Sequence, residues 1–194
     1  MDVRMIGPEL EAADELDAVA APLSRAVRAL PEPARRALAG DWLGHPLHPM
    51  LTDLPIGFWT TAWVLDLVGG RRSARVATAM VGLGVASALP TAAAGLVDWA
   101  DLSAEKKRPG VVHAVANLAA TGLYGLSFVA RVRGRRFRGL ALGMAGAAAA
   151  TAGGYLGGHL AFGTTAPSPS SADQADATTR ATNGHRTAGD PITT

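Results

Sequence analysis

The sequence predicts an all-α integral membrane protein, a four-helix bundle with an N-terminal amphipathic helix and a disordered C-terminal tail. Three observations carry that prediction. The 194 residues are 48% hydrophobic and only 18% charged, with a mean hydropathy of +0.18, which is more apolar than an ordinary soluble domain. Long charge-poor runs recur along the chain, with arginines gathered in the short stretches between them. The run over 140–162 carries no charged residue, whereas a soluble bundle shows polar residues every three or four positions on its outer face.

The N-terminal segment, 1–41, places Leu16, Val19, Ala20, Leu23, Val27 and Leu30 on one helical face. Such a face is suited to lying in the membrane interface or covering the bundle. Pro31 and Pro33 end it, and a second short helix is expected over 32–39. The first 30 residues are acidic and helical in pattern rather than basic and then apolar, so no signal peptide is expected.

The membrane domain, 42–163, contains four expected spans, over 51–68, 76–97, 111–130 and 140–162. The second has no charge in 22 residues. That corresponds to about 33 Å of helix, enough to cross hydrocarbon. His113 interrupts the third run and His159 the fourth. The first carries Asp53 near its start and Asp66 near its end, the latter expected to pair with Arg71 or Arg72 at the interface. In the fourth, Gly146, Ala150, Gly154 and Gly158 repeat at helical spacing, as do Gly153 and Gly157. Small residues so placed let helix backbones approach closely in lipid. From Thr164 the chain is Ser, Thr, Ala, Pro, Asp and Gly without periodicity, so a disordered tail is expected over 164–194, with no role for its His185.

Orientation follows from Arg and Lys in the short loops. The first loop, "RRSAR", and the third, "RVRGRRFRG", carry no acid, whereas the second, "DLSAEKKRPG", offsets its cations with acids. The odd loops are therefore expected in the cytoplasm, with both termini and the second loop on the outer side of the cell membrane.

Composition removes several function classes. With no cysteine there is no disulfide framework, no Cys-ligated iron–sulfur cluster and no thiol nucleophile. A net charge of +2 and a pI near 9.5 do not indicate nucleic acid, because the arginines sit in loops rather than on one face with interleaved aromatics. No phosphate-cradling glycine loop, HExxH helix or serine elbow is present, so no catalytic residue is expected.

The polar residues inside the apolar part fall into a pattern. In "GHPLHPMLTDLPIGFW", His45 and His48 precede the first span and Asp53 enters it. Asp98 leaves the second span, His113 begins the third, and His159 ends the fourth. Alternating antiparallel spans bring all of them to one membrane face. The His-Pro pairs also read as turn punctuation, and Thr52 or Asp53 as a helix N-cap. An ionisable residue inside a span, by contrast, is costly and points to function. Two histidines on facing helices with small residues beside them suit a b-type haem, with His113 and His159 as axial ligands and His45 and His48 supporting. A zinc, iron or copper site built from His45, His48, His113, His159, Asp53 and Asp98 is the alternative, and a quinol or proton relay a third. A cofactor-free anchor for a partner protein is the rival from another class.

The stretch "GHPLHPMLTDLPIGFWTTAWVLDLVGG", followed by "ALPTAAAGLVDWADL", "GVVHAVANLAA" and "GGYLGGHLAFG", resembles a bacterial family of predicted membrane proteins. That family is a domain of unknown function often joined to a C-terminal Rieske iron–sulfur domain. The resemblance covers about 42–163. It implies a four-helix membrane domain associated with electron transfer. The Cys-His pairs of a Rieske domain are missing here, so the redox role it implies calls for a separate Rieske-type or other redox partner, or a haem of the chain's own.

Overall fold

In the computed structural model, residues 5–163 are described. The chain divides into two units, Met1–Ala161 and Phe162–Thr194. Only residues 162 and 163 of the second are described, so the expected tail and His185 lie outside the described residues. Among those residues there are seven α-helices and no strand: α1 (Ile6–Ala12), α2 (Asp17–Arg28), α3 (Glu32–Ala39), α4 (Leu47–Val68), α5 (Ala74–Ala100), α6 (Ala104–Val132) and α7 (Arg136–Phe162).

Three of them, α5, α6 and α7, are long and apolar enough to cross a membrane. The first expected span, within α4, falls outside that group although α4 has 22 residues. Asp53, Asp66 and Pro55 dilute its apolar content. All four long helices extend past the expected spans, chiefly at their N-termini. Pro46 caps α4, placing Leu47, His48 and Pro49 in its first turn, where a proline's missing N–H costs nothing. Ser103 accepts a hydrogen bond from the Lys106 N–H, so most of the expected second loop forms the first turns of α6.

Side-chain pairings define the helix directions. Ser73 Oγ, at the α4–α5 turn, donates to Leu65 O, while His48 at the start of α4 meets Thr91 O near the end of α5, so the two helices are antiparallel. Trp99 donates to Lys107 O and Phe128 packs on Gly82, which sets α6 antiparallel to α5. Ser127 donates to Gly139 O at 2.6 Å and His113 meets Gly153 O, which sets α7 antiparallel to α6. By contrast α4 and α6 run parallel. Trp59 stacks on Tyr124 with ring centroids 4.0 Å apart, and Asp66 pairs with Arg131 two turns further along both helices. Trp59, Ala62, Val81, Ala88 and Tyr124 form the core between these helices.

Pro55 shows how one sequence defect is repaired by a neighbour. Lacking an N–H, it leaves the carbonyl of Leu51 without its helical donor. The buried Thr91 hydroxyl on α5 lies 3.1 Å from that oxygen, shared with its own helix's Ser87 O.

The N-terminal helices cover one end of the bundle. Ala20 and Val27 of α2 are buried against Val97, Trp99, Ala100 and Val111. Ser24 Oγ and Arg28 Nη2 both donate to Ala100 O, one of the carbonyls that the end of α5 leaves open. Val19, Leu23 and Leu30, from the same expected apolar face, remain exposed. The face is thus divided between bundle and surroundings. Helix α3 follows the expected 32–39 and ends at Gly40, whose φ of 88° is left-handed and whose Cα sits against the His45 carbonyl. A side chain there would displace the His-Pro loop.

Candidate functional site

The end of the bundle beneath α1–α3 receives the polar residues. His48 enters from the first turn of α4. Its Nδ1 lies 2.9 Å from Thr91 O, and its ring packs on Gly95. A carbonyl oxygen only accepts, so Nδ1 carries the proton and, in the neutral ring, Nε2 keeps its lone pair. His113 on α6 repeats the arrangement against α7. Its Nδ1 lies 2.8 Å from Gly153 O, and its ring packs on Gly157. The Asn117 amide, one turn on, donates to His113 O at 2.9 Å and lies against the ring, with Nδ2 3.3 and 3.2 Å from its two nitrogens.

His48 lies within electrostatic range of both His113 and Asp98, and Asp98 is half-buried at the end of α5. These three residues, with Asn117 and Thr91, make the polar centre of this end.

The other expected ligands go elsewhere. His159 Nε2 lies 3.1 Å from Glu11 Oε1, its ring on Gly7 of α1, with 9% of the side chain exposed. On α7 the glycine that faces His113 is Gly157, and two further residues turn the helix by about 200°, so His159 faces the N-terminal segment. His45 is exposed in the loop before α4. Asp53, five residues beyond His48, is turned by about 140° from it and is exposed. The six-residue ligand set therefore does not converge, and among the described residues no three His, Asp or Glu side chains are grouped to hold a metal. Nor do His113 and His159 face each other as an axial pair.

The opposite end is cationic. Asp66 does not pair with Arg71 or Arg72 as expected. Arg131 Nη2 sits 2.6 Å from one of its oxygens and Arg136 Nη2 3.2 Å from the other. Helices α4 and α6 are parallel, so their ends coincide and the third loop reaches Asp66.

A family model described as "Predicted membrane protein (DUF2231)" matches residues 44–166. The chain belongs to this family. The match opens at Gly44, directly before the His-Pro element, and takes in all four long helices. DUF2231 therefore contains His48, Asp98, His113 and Asn117, while Gly7 and Glu11 lie outside the matched region. No curated protein and no solved structure matches the chain.

Reading the sequence missed Asn117, Thr91 and Glu11. Asn117 was within reach, since a residue four beyond His113 shares its helix face. Thr91 and Glu11 carried no such signal, because their partners are 40 and 148 residues away in the chain.

Proposed function

We propose that this is a multi-pass cytoplasmic-membrane protein whose histidine-bearing end binds a haem b or a zinc, iron or copper ion and serves electron transfer in a redox module. In this reading α4 crosses the bilayer with α5, α6 and α7. Its 22 residues span about 33 Å, and the Asp66 charge is neutralised by Arg131 and Arg136. The arginine loops face the cytoplasm and both termini lie outside. A separate Rieske-type or other redox protein is the electron partner.

The observation that carries this reading is the matched pair of Nδ1–H bonds to helix carbonyls from His48 and His113. A metal-ligating imidazole is commonly oriented in this way, with its second nitrogen tied to a carbonyl or carboxylate so that the first is aimed and basic. The ligands favoured are thus His48 and His113, with Asp98 as the carboxylate at the same end. His159, held by Glu11 and Gly7, and the exposed His45 and Asp53 take no part.

The test is an optical spectrum, oxidised and dithionite-reduced, with metal analysis of the same detergent-purified sample. A low-spin haem spectrum, or stoichiometric metal, that is lost in His48→Ala and His113→Ala but kept in His45→Ala supports the reading. Content unchanged in all three variants, or absent from the wild type, contradicts it.

A second reading is a cofactor-free anchor for a partner protein. Three imidazoles lie on glycines of neighbouring helices, His48 on Gly95, His113 on Gly157 and His159 on Gly7, and each ties two segments together. In that case the alanine variants lose stability and have no cofactor to lose.

A further inference from the structure

At the end of the bundle opposite the histidines, two cavities meet. One, of about 250 Å³, is lined by Arg71, Ala74, Thr78, Arg131, Gly134 and Arg136. The other, about 660 Å³, runs on along α5 and Phe128 between Arg75, Gly82 and Leu83, and its wall is almost wholly apolar. Thr78 lines both, so a chamber walled by three arginines adjoins an apolar groove.

The charge of the chamber is unbalanced. Three arginines line it, and the one carboxylate paired with them, Asp66, holds Arg131 and Arg136 and is not part of the lining. Arg136 Nη1 is buried and makes no hydrogen bond among the described residues. The flanking loops, from Arg71 to Arg75 and from Arg131 to Arg138, contain eight arginines and no acid. Guanidinium groups match phosphate oxygens in geometry and keep their charge at any physiological pH.

We infer that this end binds an anionic phospholipid, with the phosphate held by Arg71 and Arg136 and one acyl chain lying in the groove on Gly82 and Phe128. The charge complementarity selects the headgroup. Gly82 forms the floor, because a side chain there would run into the Phe128 ring, 2.8 Å from a Cβ. Basic pockets between membrane helices recur as sites for anionic lipid headgroups. A free phosphate uses the chamber alone, whereas a lipid uses chamber and groove together.

The experiment is native mass spectrometry of the full chain in mild detergent, with phosphatidylglycerol, phosphatidylcholine of the same chain length, or inorganic phosphate added. The wild type should retain phosphatidylglycerol in preference to phosphatidylcholine. R71Q/R136Q should lower that preference about thirtyfold, the scale expected of two arginines at about 1 kcal/mol each at an anionic surface. Ala86→Phe, which fills the groove from an exposed position, should lower retention of both lipids. Circular dichroism of each variant checks the fold, and Arg71→Gln alone, at an exposed position, gives a smaller loss if the double variant unfolds. Equal retention of the two lipids by the wild type, an unchanged preference in the arginine variants, or competition by inorganic phosphate with no effect of Ala86→Phe would overturn the inference.

Discussion

Asp66 and Arg131 meet at 2.6 Å with only 6% of either side chain exposed, joining the ends of two parallel helices 65 residues apart in the chain. Ser127 Oγ lies 3.2 Å from Arg131 Nε, and the same hydroxyl donates to Gly139 O. One buried carboxylate thereby links α4, α6 and α7.

Removing the cation leaves that carboxylate buried with only Arg136 for compensation. Arg131→Ala should destabilise the protein by about 3–5 kcal/mol, the usual consequence of breaking a buried pair from one side. Arg133→Ala, exposed in the same loop, should stay within about 0.5 kcal/mol. Denaturant unfolding in a fixed detergent separates them, and equal effects would show that the pair is a surface feature.

The glycines of the long helices are not equivalent. A Cβ on Gly84 would run into the Trp59 indole, which is held from its other side by Tyr124, whereas a Cβ on Gly122 meets nothing within 4 Å. Gly84→Ala should therefore cost about 1–3 kcal/mol through overpacking. Gly122→Ala should instead raise stability by up to about 1 kcal/mol, since alanine is the better helix former. Thermal melts of the two variants should move in opposite directions.

Most of the fold was legible from where charge is missing. The charge-free run over 76–97 sits inside α5, and the segment over 32–39 that follows Pro31 is α3. The third helix of the membrane domain begins seven residues before its expected span because Lys106, Lys107 and Arg108 read as loop charges, although a helix that leaves hydrocarbon continues into water without penalty. The shared depth of His48, Asp98 and His113 followed from antiparallel alternation. The rotation of His159 away from them did not, because a run as uniformly small as that in α7 has no apolar stripe to define its inner face.

The N-terminal cover has a pH-sensitive clamp. Arg108 Nε and Nη2 hold the two Asp17 oxygens at 3.0 and 2.8 Å, while Nη1 donates to Glu11 O. The guanidinium keeps the Asp17 carboxyl below its ordinary range, so the folded chain binds fewer protons here than the unfolded one. The clamp is therefore complete above the ordinary carboxylate range and is lost as pH falls through the lowered value. Protection factors for hydrogen exchange in α2, taken relative to the intrinsic rate at each pH, should fall on acidification in the wild type. Asp17→Asn should exchange faster already at neutral pH, with a weaker acid response. Identical profiles would mean that the apolar contacts of Ala20 and Val27 hold α2 alone.

The contacts with Thr91 O and Gly153 O require Nδ1 of His48 and of His113 to carry the proton, which leaves a lone pair on each Nε2, that of His113 3.2 Å from the Asn117 amide nitrogen. Nitrogen-15 NMR of histidine-labelled protein in detergent, stripped of metal and recorded where the rings are neutral, reads this directly, with His48→Gln and His113→Gln assigning the signals. Both rings should be Nδ1–H tautomers, and Nε2 of each should shift when metal or haem is restored. Nε2–H tautomers at either position would contradict this assignment, because the lone pair that a ligand needs would then face a backbone carbonyl.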